Sequence, residues 1–150
     1  MRPSVALTGG SVRGVRASAL NWLAEAEADL KRAKRALRDG DYALSTFMSQ
    51  QACERVLKAA FIALAREVPP RAHDLTVLYS RLGERLELPE PVAARLAEVS
   101  QYYVVSRYPN AGLERPSESI TREQAVRALE VAERVVGSVR EKLRGGGAGA

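Results

Sequence analysis

Residues 42–66 read YALSTFMSQQACERVLKAAFIALAR and are predicted to form one long helix. Its main apolar face carries Tyr42, Cys53, Val56, Leu57, Ala60 and Leu64. A second side carries Leu44, Phe47, Met48 and Ile62. A helix that is apolar on two sides is usually central in a bundle or covered by a second subunit. We therefore predict a central helix whose second side supplies buried or dimer-interface positions.

The segments that flank this helix also have helical spacing. Residues 18–38 place an apolar residue every three or four positions, at Leu23, Ala26, Leu30, Ala33 and Leu37. Gly40 is placed to end that helix, and Asp41 is placed to cap the next one. The double proline at 69–70 ends the central helix region.

Three further helices are predicted after the double proline. Asp74 caps a short helix that runs to Leu82, and a fourth helix spans about 91–106. Residues 107–119 are predicted to be a loop, because they contain two prolines and a glycine. Thr121 and Gln124 form a capping box for a last helix that ends near Leu143. The fold class is therefore all-α, an antiparallel bundle of about five helices.

The length of 150 residues fits one domain. We expect a flexible N-terminal tail over 1–17, the helical domain over 18–144 and a disordered Gly/Ala tail over 145–150. No apolar run is long enough for a membrane span and no secretory leader is evident, so we expect a cytoplasmic protein. A single cysteine and a single histidine exclude an internal disulfide and argue against a metal site. No cofactor is expected.

The net charge is +5, and three of the positive charges are Arg2, Arg13 and Arg16 in the predicted tail. The rest of the chain is nearly balanced, so the overall charge is weak support for nucleic-acid binding. One dense cluster remains, formed by Lys31, Arg32, Lys34, Arg35 and Arg38. It is either a solvent-exposed helix face or a contact for RNA, phosphate or an acidic partner.

Three segments carry polar residues that suit a functional site. Gln51, Glu54 and Lys58 are spaced by three and four, so they share a line on the central helix. That line is either an exposed salt bridge or the wall of a polar cleft. His73 at the start of the third helix either fixes a loop or takes part in a site. Arg107 at the end of the fourth helix either bonds its own helix carbonyls or binds phosphate or carboxylate.

The order and spacing of these segments resemble the HEPN family, the higher eukaryotes and prokaryotes nucleotide-binding domain. The resemblance covers about 18–143 and rests on Ala28-Asp29-Leu30, Asp41-Tyr42, Gln50-Gln51-Ala52, Glu54, Leu57-Lys58-Ala59, His73-Asp74-Leu75, Ser106-Arg107-Tyr108-Pro109, Ile120-Thr121 and Ala125. It implies a helical bundle, commonly a homodimer, that is paired with a minimal nucleotidyltransferase. Several family members are toxins that cut RNA, and the nucleotidyltransferase acts as their antitoxin.

The RNA-cutting members have an arginine followed, after four to six residues, by a histidine near the end of the bundle. In this chain no histidine follows Arg107. Arg66 and His73 have the required spacing, but they lie on either side of the double proline. Histidine suits this cleavage because it can give and take a proton near neutral pH. We therefore expect no RNase activity of the usual kind, and the prediction leans against an enzyme.

The resulting hypothesis is a non-catalytic, dimeric binding module. Its polar cleft would bind a nucleotide or another phosphate-bearing ligand through Gln51, Glu54, Lys58, His73, Arg107 and Tyr108. Lys58 and Arg107 would meet the phosphates. One alternative is a toxin of RNase type that uses His73, and another is a partner subunit of the nucleotidyltransferase with no ligand of its own. Tyr108 is then a candidate target for modification, and RNA binding is left open.

Overall fold

The computed structural model describes residues 12–106 and 116–148, which contain helices and no strand. The helices are α1 (Val12–Arg38), α2 (Tyr42–Ala60), α3 (Leu75–Leu82), α4 (Glu90–Ala93), α5 (Leu96–Ser100), α6 (Tyr102–Val105), α7 (Pro116–Ser119) and α8 (Arg122–Ala148). A π-helical turn, Phe61–Ala65, continues α2, and a 3-10 turn, Gly83–Arg85, follows α3. The predicted all-α bundle is confirmed.

The predicted helix ends are largely observed. Gly40 adopts a φ of 76°, in the left-handed region that glycine enters without strain, and α1 ends just before it. The Asp41 carboxylate accepts a hydrogen bond from the Leu44 amide at 3.2 Å. At the start of α8, the Gln124 side chain accepts from the Thr121 amide at 2.8 Å, while the Thr121 hydroxyl accepts from the Gln124 amide. This reciprocal pair is the predicted capping box.

The three longest helices, α1, α2 and α8, build most of the core. The Ser45 hydroxyl donates to the Ala33 carbonyl at 2.9 Å, so α2 runs antiparallel to α1 across the short turn. Lys34 lies near Glu133, and Arg140 lies near Glu27, so α8 is also antiparallel to α1. Because α2 also contacts α3, α5 and α6, it is the central helix, as predicted.

The main apolar face of α2 is buried in this core. Cys53, Val56, Leu57 and Ala60 have no exposed surface, and burial raises the pKa of the Cys53 thiol to about 12. Cys53 is therefore a core residue, as the sequence indicated. The second side of α2 is not uniform, because Ile62 is buried within the chain whereas Leu44 is 45% exposed.

Some boundaries differ from those expected. α1 already begins at Val12, inside the predicted N-terminal tail, and α8 continues to Ala148, inside the predicted C-terminal tail. The predicted fourth helix is divided into α4, α5 and α6, because the chain tightens to i→i+3 hydrogen bonds at Arg95 and Val104. α7 forms a helical turn within the predicted 107–119 loop. In the described part of the chain, every helix is too short or too polar to span a bilayer.

Candidate functional site

The polar line on α2 is mostly buried. Glu54 is only 6% exposed, and its carboxylate has contacts at both oxygens. Lys58 donates from Nζ to Glu54 Oε2 at 3.1 Å, and the Lys58 side chain is 12% exposed. The other oxygen, Oε1, lies 2.9 Å from His73 Nδ1. Burial of a carboxylate is costly unless it is paired, so these contacts hold Glu54 in place.

Gln50 ties this line to the loop before α3. It is wholly buried, and its Nε2 donates both to Glu54 Oε1 at 3.2 Å and to the His73 carbonyl at 3.0 Å. Its side-chain oxygen, Oε1, accepts a hydrogen bond from Gln51 Nε2 at 2.7 Å. Gln50 was not predicted as a site residue, although the spacing of four between Gln50 and Glu54 was a usable signal.

The backbone beside His73 is fixed by the cap of α3. The Asp74 carboxylate accepts from the Thr76 amide at 2.9 Å and from the Thr76 hydroxyl at 2.7 Å. The Ser100 hydroxyl also donates to Asp74, at 3.4 Å, and accepts from the Leu75 amide at 3.0 Å. These hydrogen bonds, above all the one from the Thr76 hydroxyl, lower the pKa of Asp74 below its ordinary value.

The His73 ring stacks on Tyr103 of α6. The ring centroids are 3.9 Å apart and the planes differ by 13°, so the two rings are nearly parallel. Phe47 of α2 lies behind Tyr103, with a centroid distance of 6.2 Å. Tyr103 was not predicted as a site residue, because nothing in the local sequence links it to a histidine 30 positions earlier.

The stacked pair lines a cleft of about 370 Å³. Its described lining residues are His73, Asp74, Thr76, Ala97, Ser100, Gln101, Tyr103 and Val104. The His73 side chain is 52% exposed there. Of the six predicted ligand residues, only His73 is among these lining residues. Glu54 and Lys58 lie behind it, Gln51 joins it through Gln50, and Arg107 and Tyr108 lie outside the described residues.

The contact with Glu54 defines the role of each His73 nitrogen. A carboxylate can only accept, so Nδ1 carries the proton that points at Glu54. The remaining nitrogen, Nε2, is then the ring atom that a ligand can engage. In the part of the chain that the structure describes, no group of three or more His, Cys, Asp or Glu is arranged to hold a metal ion.

The basic cluster of α1 does not join this cleft. All five of its residues are exposed. Arg32 donates to Asp29 at 2.7 Å, and Lys34 lies 3.9 Å from Glu133. The cluster therefore remains a solvent-exposed face, with part of its charge engaged by neighbouring acids.

The chain is an all-α bundle in which the buried Glu54 lies next to the half-exposed His73. Comparisons with known proteins show the family to which this bundle belongs. The model of the HEPN domain matches residues 19–142, so the chain belongs to the HEPN family. Solved structures of other proteins are also similar to it. The crystal structure of a protein from Thermus thermophilus has 34% identity and a TM-score of 0.74, with 83% of this chain and 97% of that chain covered.

Another similar solved structure is that of an archaeal HEPN homologue. Its identity is 27% and its TM-score 0.67, again with 83% of this chain and 97% of that chain covered. No curated protein matches the chain. The comparisons therefore establish the family and the fold.

Proposed function

We propose that the chain is a HEPN module that binds a nucleotide or a similar phosphate-bearing ligand in the His73 cleft without cutting RNA. The observation that carries this proposal is the His73 ring, which is hydrogen-bonded to buried Glu54 on one side and stacked on Tyr103 on the other. Such a ring is held in one orientation before a ligand arrives, which reduces the entropy lost on binding.

The cleft offers the types of contact that a nucleotide needs. The stacked pair of His73 and Tyr103 provides an aromatic surface against which a base can lie. The side chains of Thr76, Ser100 and Gln101 provide hydroxyl and amide groups at the same cleft. Lys58 is engaged by Glu54, so we assign it the role of pairing with that carboxylate, and we assign the phosphate contact to Arg107.

Calorimetry with ATP, AMP and inorganic phosphate tests this assignment. We expect His73→Ala and Arg107→Ala each to weaken nucleotide binding at least about tenfold, the size of effect that follows loss of a charge-assisted contact. Arg95→Ala is the matched control, because Arg95 is exposed at the start of α5 and is not a lining residue of the cleft. Equal binding by His73→Ala and the wild type would contradict the proposal.

RNA cleavage is the second candidate function, and one observation favours it. Glu54 lies 2.9 Å from His73 Nδ1, the arrangement in which a carboxylate orients an imidazole for general acid–base chemistry. A toxin would inhibit growth on expression, and His73→Ala would relieve the inhibition. Normal growth during expression of the wild type without any antitoxin argues for the non-catalytic module.

We propose a homodimer as the working form. Leu44 is 45% exposed, and Phe47 and Met48 of the same helix are half-buried, so we assign part of the dimer interface to this side of α2 around Leu44. Ile62 is 5% exposed within its own chain and contributes to the core. Sedimentation at micromolar concentration should give a dimer for the wild type and a monomer for Leu44→Glu. A monomeric wild type would overturn this part of the proposal.

The resemblance to paired HEPN proteins supports a minimal nucleotidyltransferase as the partner, acting with this module in the cytoplasm. The test is co-expression with the product of the neighbouring reading frame, followed by co-purification. We expect a stable complex if that frame encodes a nucleotidyltransferase with a Gly-Ser and paired-Asp signature. Failure of the two proteins to co-purify would contradict the pairing.

A further inference from the structure

A second cleft lies between α1 and α2. Its volume is about 400 Å³, and its lining residues are Ser18, Asn21, Trp22 and Glu25 of α1 and Arg55 of α2. None of them lines the His73 cleft. Arg55 directly follows Glu54, and successive residues of a helix point about 100° apart. The two side chains therefore serve different sides of α2, and an inference about this cleft does not rest on the proposed function.

The guanidinium of Arg55 is held by a buried carboxylate. Asp29 is 1% exposed, and its Oδ2 accepts from Arg55 Nη1 at 2.9 Å. The other oxygen, Oδ1, accepts from Arg32 Nη1 at 2.7 Å. Because both oxygens of Asp29 are engaged, Asp29 is a positioning residue that fixes one edge of the Arg55 guanidinium.

The other edge of this guanidinium is available. Within residues 12–106 and 116–148, the recorded contacts of the Arg55 side chain are both made by Nη1. The group has five N–H donors in a planar fork, so Nε and Nη2 keep donors that match a carboxylate in two-point contact. The Arg55 side chain is 33% exposed and lines the cleft, so a small molecule that enters the cleft can contact the guanidinium.

Glu25 already supplies a carboxylate near this position. It lies 3.5 Å from Arg55 Nη1, which is longer than the Asp29 contact, and its side chain is 61% exposed. An exposed pair of this kind adds little free energy, and because it uses Nη1 it leaves the Nε and Nη2 edge open. With Asp29, Glu25, Arg32 and Arg55 the local charges sum to zero. A monoanion on the open edge disturbs that balance less than a dianion would.

The remaining lining residues define the body of the ligand. Trp22, the single tryptophan of the chain, provides a planar apolar wall. We propose that this cleft binds small aromatic carboxylates, with the carboxylate on the Nε and Nη2 edge of Arg55 and the ring against Trp22. Asn21 and Ser18 provide polar groups at the rim.

The first experiment titrates the full-length protein with phenylacetate and follows Trp22 fluorescence and calorimetric heat. For a ligand of this size we expect a Kd on the order of 1 mM. Phenylacetamide, which lacks the charge, and acetate, which lacks the ring, should each bind at least about tenfold more weakly. Equal binding of phenylacetate and phenylacetamide, or no response to millimolar phenylacetate, would overturn the proposal.

Variants assign the contact to the cleft. Arg55→Gln should weaken phenylacetate binding at least about tenfold, and circular dichroism checks that the helices are retained. Glu25→Gln leaves the Asp29 hydrogen bonds in place and should tighten binding about threefold, since it removes a neighbouring negative charge that repels the ligand carboxylate. Arg127→Gln is the matched control, because Arg127 pairs with Glu98 on another side of the bundle. Unchanged or weaker binding by Glu25→Gln would contradict a ligand carboxylate placed beside Glu25.

Discussion

Two buried carboxylates, Glu54 of α2 and Asp29 of α1, are neutralised by different partners. Asp29 is 1% exposed and is bound by two arginines, one from its own helix and one from α2. Glu54 is 6% exposed and is bound by one lysine, one buried amide and one histidine. The partners of Asp29 carry permanent charges, whereas those of Glu54 include an imidazole that can gain or lose a proton.

These two sets of contacts, the Asp29 network and the Glu54 network, are therefore expected to have different roles. The Asp29 network joins α1 to α2, and its two arginines are balanced by Asp29 together with the exposed Glu25. The Glu54 network ends at a ring that is half-exposed in a cleft. We therefore expect the Asp29 network to control stability and, through Arg55, the cleft between α1 and α2, and the Glu54 network to control stability and nucleotide binding.

The largest effect is expected on removal of Asp29. Asp29→Ala leaves two guanidiniums without their shared acceptor, and it should lower the free energy of unfolding by about 2–3 kcal/mol. This is below the cost for a wholly buried pair, because water reaches both arginines. Urea unfolding measures the change, with exposed Asp39→Ala as the control. A decrease in the free energy of unfolding below about 0.5 kcal/mol would show that the Asp29 network does not stabilise the fold appreciably.

Glu54→Gln should cost about 2 kcal/mol, because the mostly buried Lys58 loses its counterion. It should also weaken nucleotide binding, since the His73 ring loses the carboxylate that orients it. Glu98→Gln is the control, because the pair of Glu98 with Arg127 is partly exposed and should contribute less than about 1 kcal/mol. Equal nucleotide binding by Glu54→Gln and the wild type would remove the distinction between the two networks.

Gln50→Leu tests the connection between α2 and the His73 loop. The substitution removes both hydrogen bonds that Gln50 Nε2 donates and should cost about 1–2 kcal/mol. In NMR spectra the His73 ring signals should shift and broaden, because the ring is less well held. Gln51→Leu is the matched control, since Gln51 contacts the site through Gln50 alone among the described residues. Unchanged His73 signals in Gln50→Leu would argue against a positioning role for Gln50.

The smallest effect concerns the cap of α3 and has a defined pH dependence. Asp74→Ala should cost about 1 kcal/mol at neutral pH, as for other helix caps. The folded pKa of Asp74 lies below 3.8, so this stabilisation is present above pH 3.8 and is lost as the pH falls through the folded value. The urea midpoints of the wild type and Asp74→Ala should therefore converge on acidification. A constant difference would show that the charge of Asp74 plays no part.

The pH dependence of stability that is expected for Asp29 has the opposite sign to that of Asp74. Burial is the largest influence on its carboxyl and raises its pKa above 3.8, although Arg55 and Arg32 oppose the shift. The folded chain then holds this proton more tightly than the unfolded chain does. The contribution of Asp29 titration to stability therefore falls as the pH rises from 3.8 through the raised folded value.

The sequence alone predicted the helices, because apolar spacing and caps are local. Gly40, Asp41, Asp74 and the pair Thr121–Gln124 end or begin helices where expected. Glu54 and Lys58 also pair on α2 at their spacing of four.

The interactions that complete the site depend on tertiary structure. The stacking of His73 on Tyr103 and the pairing of Arg55 with Asp29 join residues far apart in the chain, and helical periodicity does not encode such contacts. The division of 90–105 into three short helices was also missed, because no proline or glycine interrupts 92–105.

The most direct test of the central claim is calorimetric titration of the folded protein with ATP, AMP and inorganic phosphate, for the wild type and for His73→Ala. We expect binding of at least one of these ligands by the wild type and a loss of at least about tenfold in His73→Ala, with Arg95→Ala unchanged. Absence of binding by the wild type, or equal binding by His73→Ala, would contradict a ligand site at His73. The contacts of Glu54 would then stabilise the fold without serving a nucleotide site.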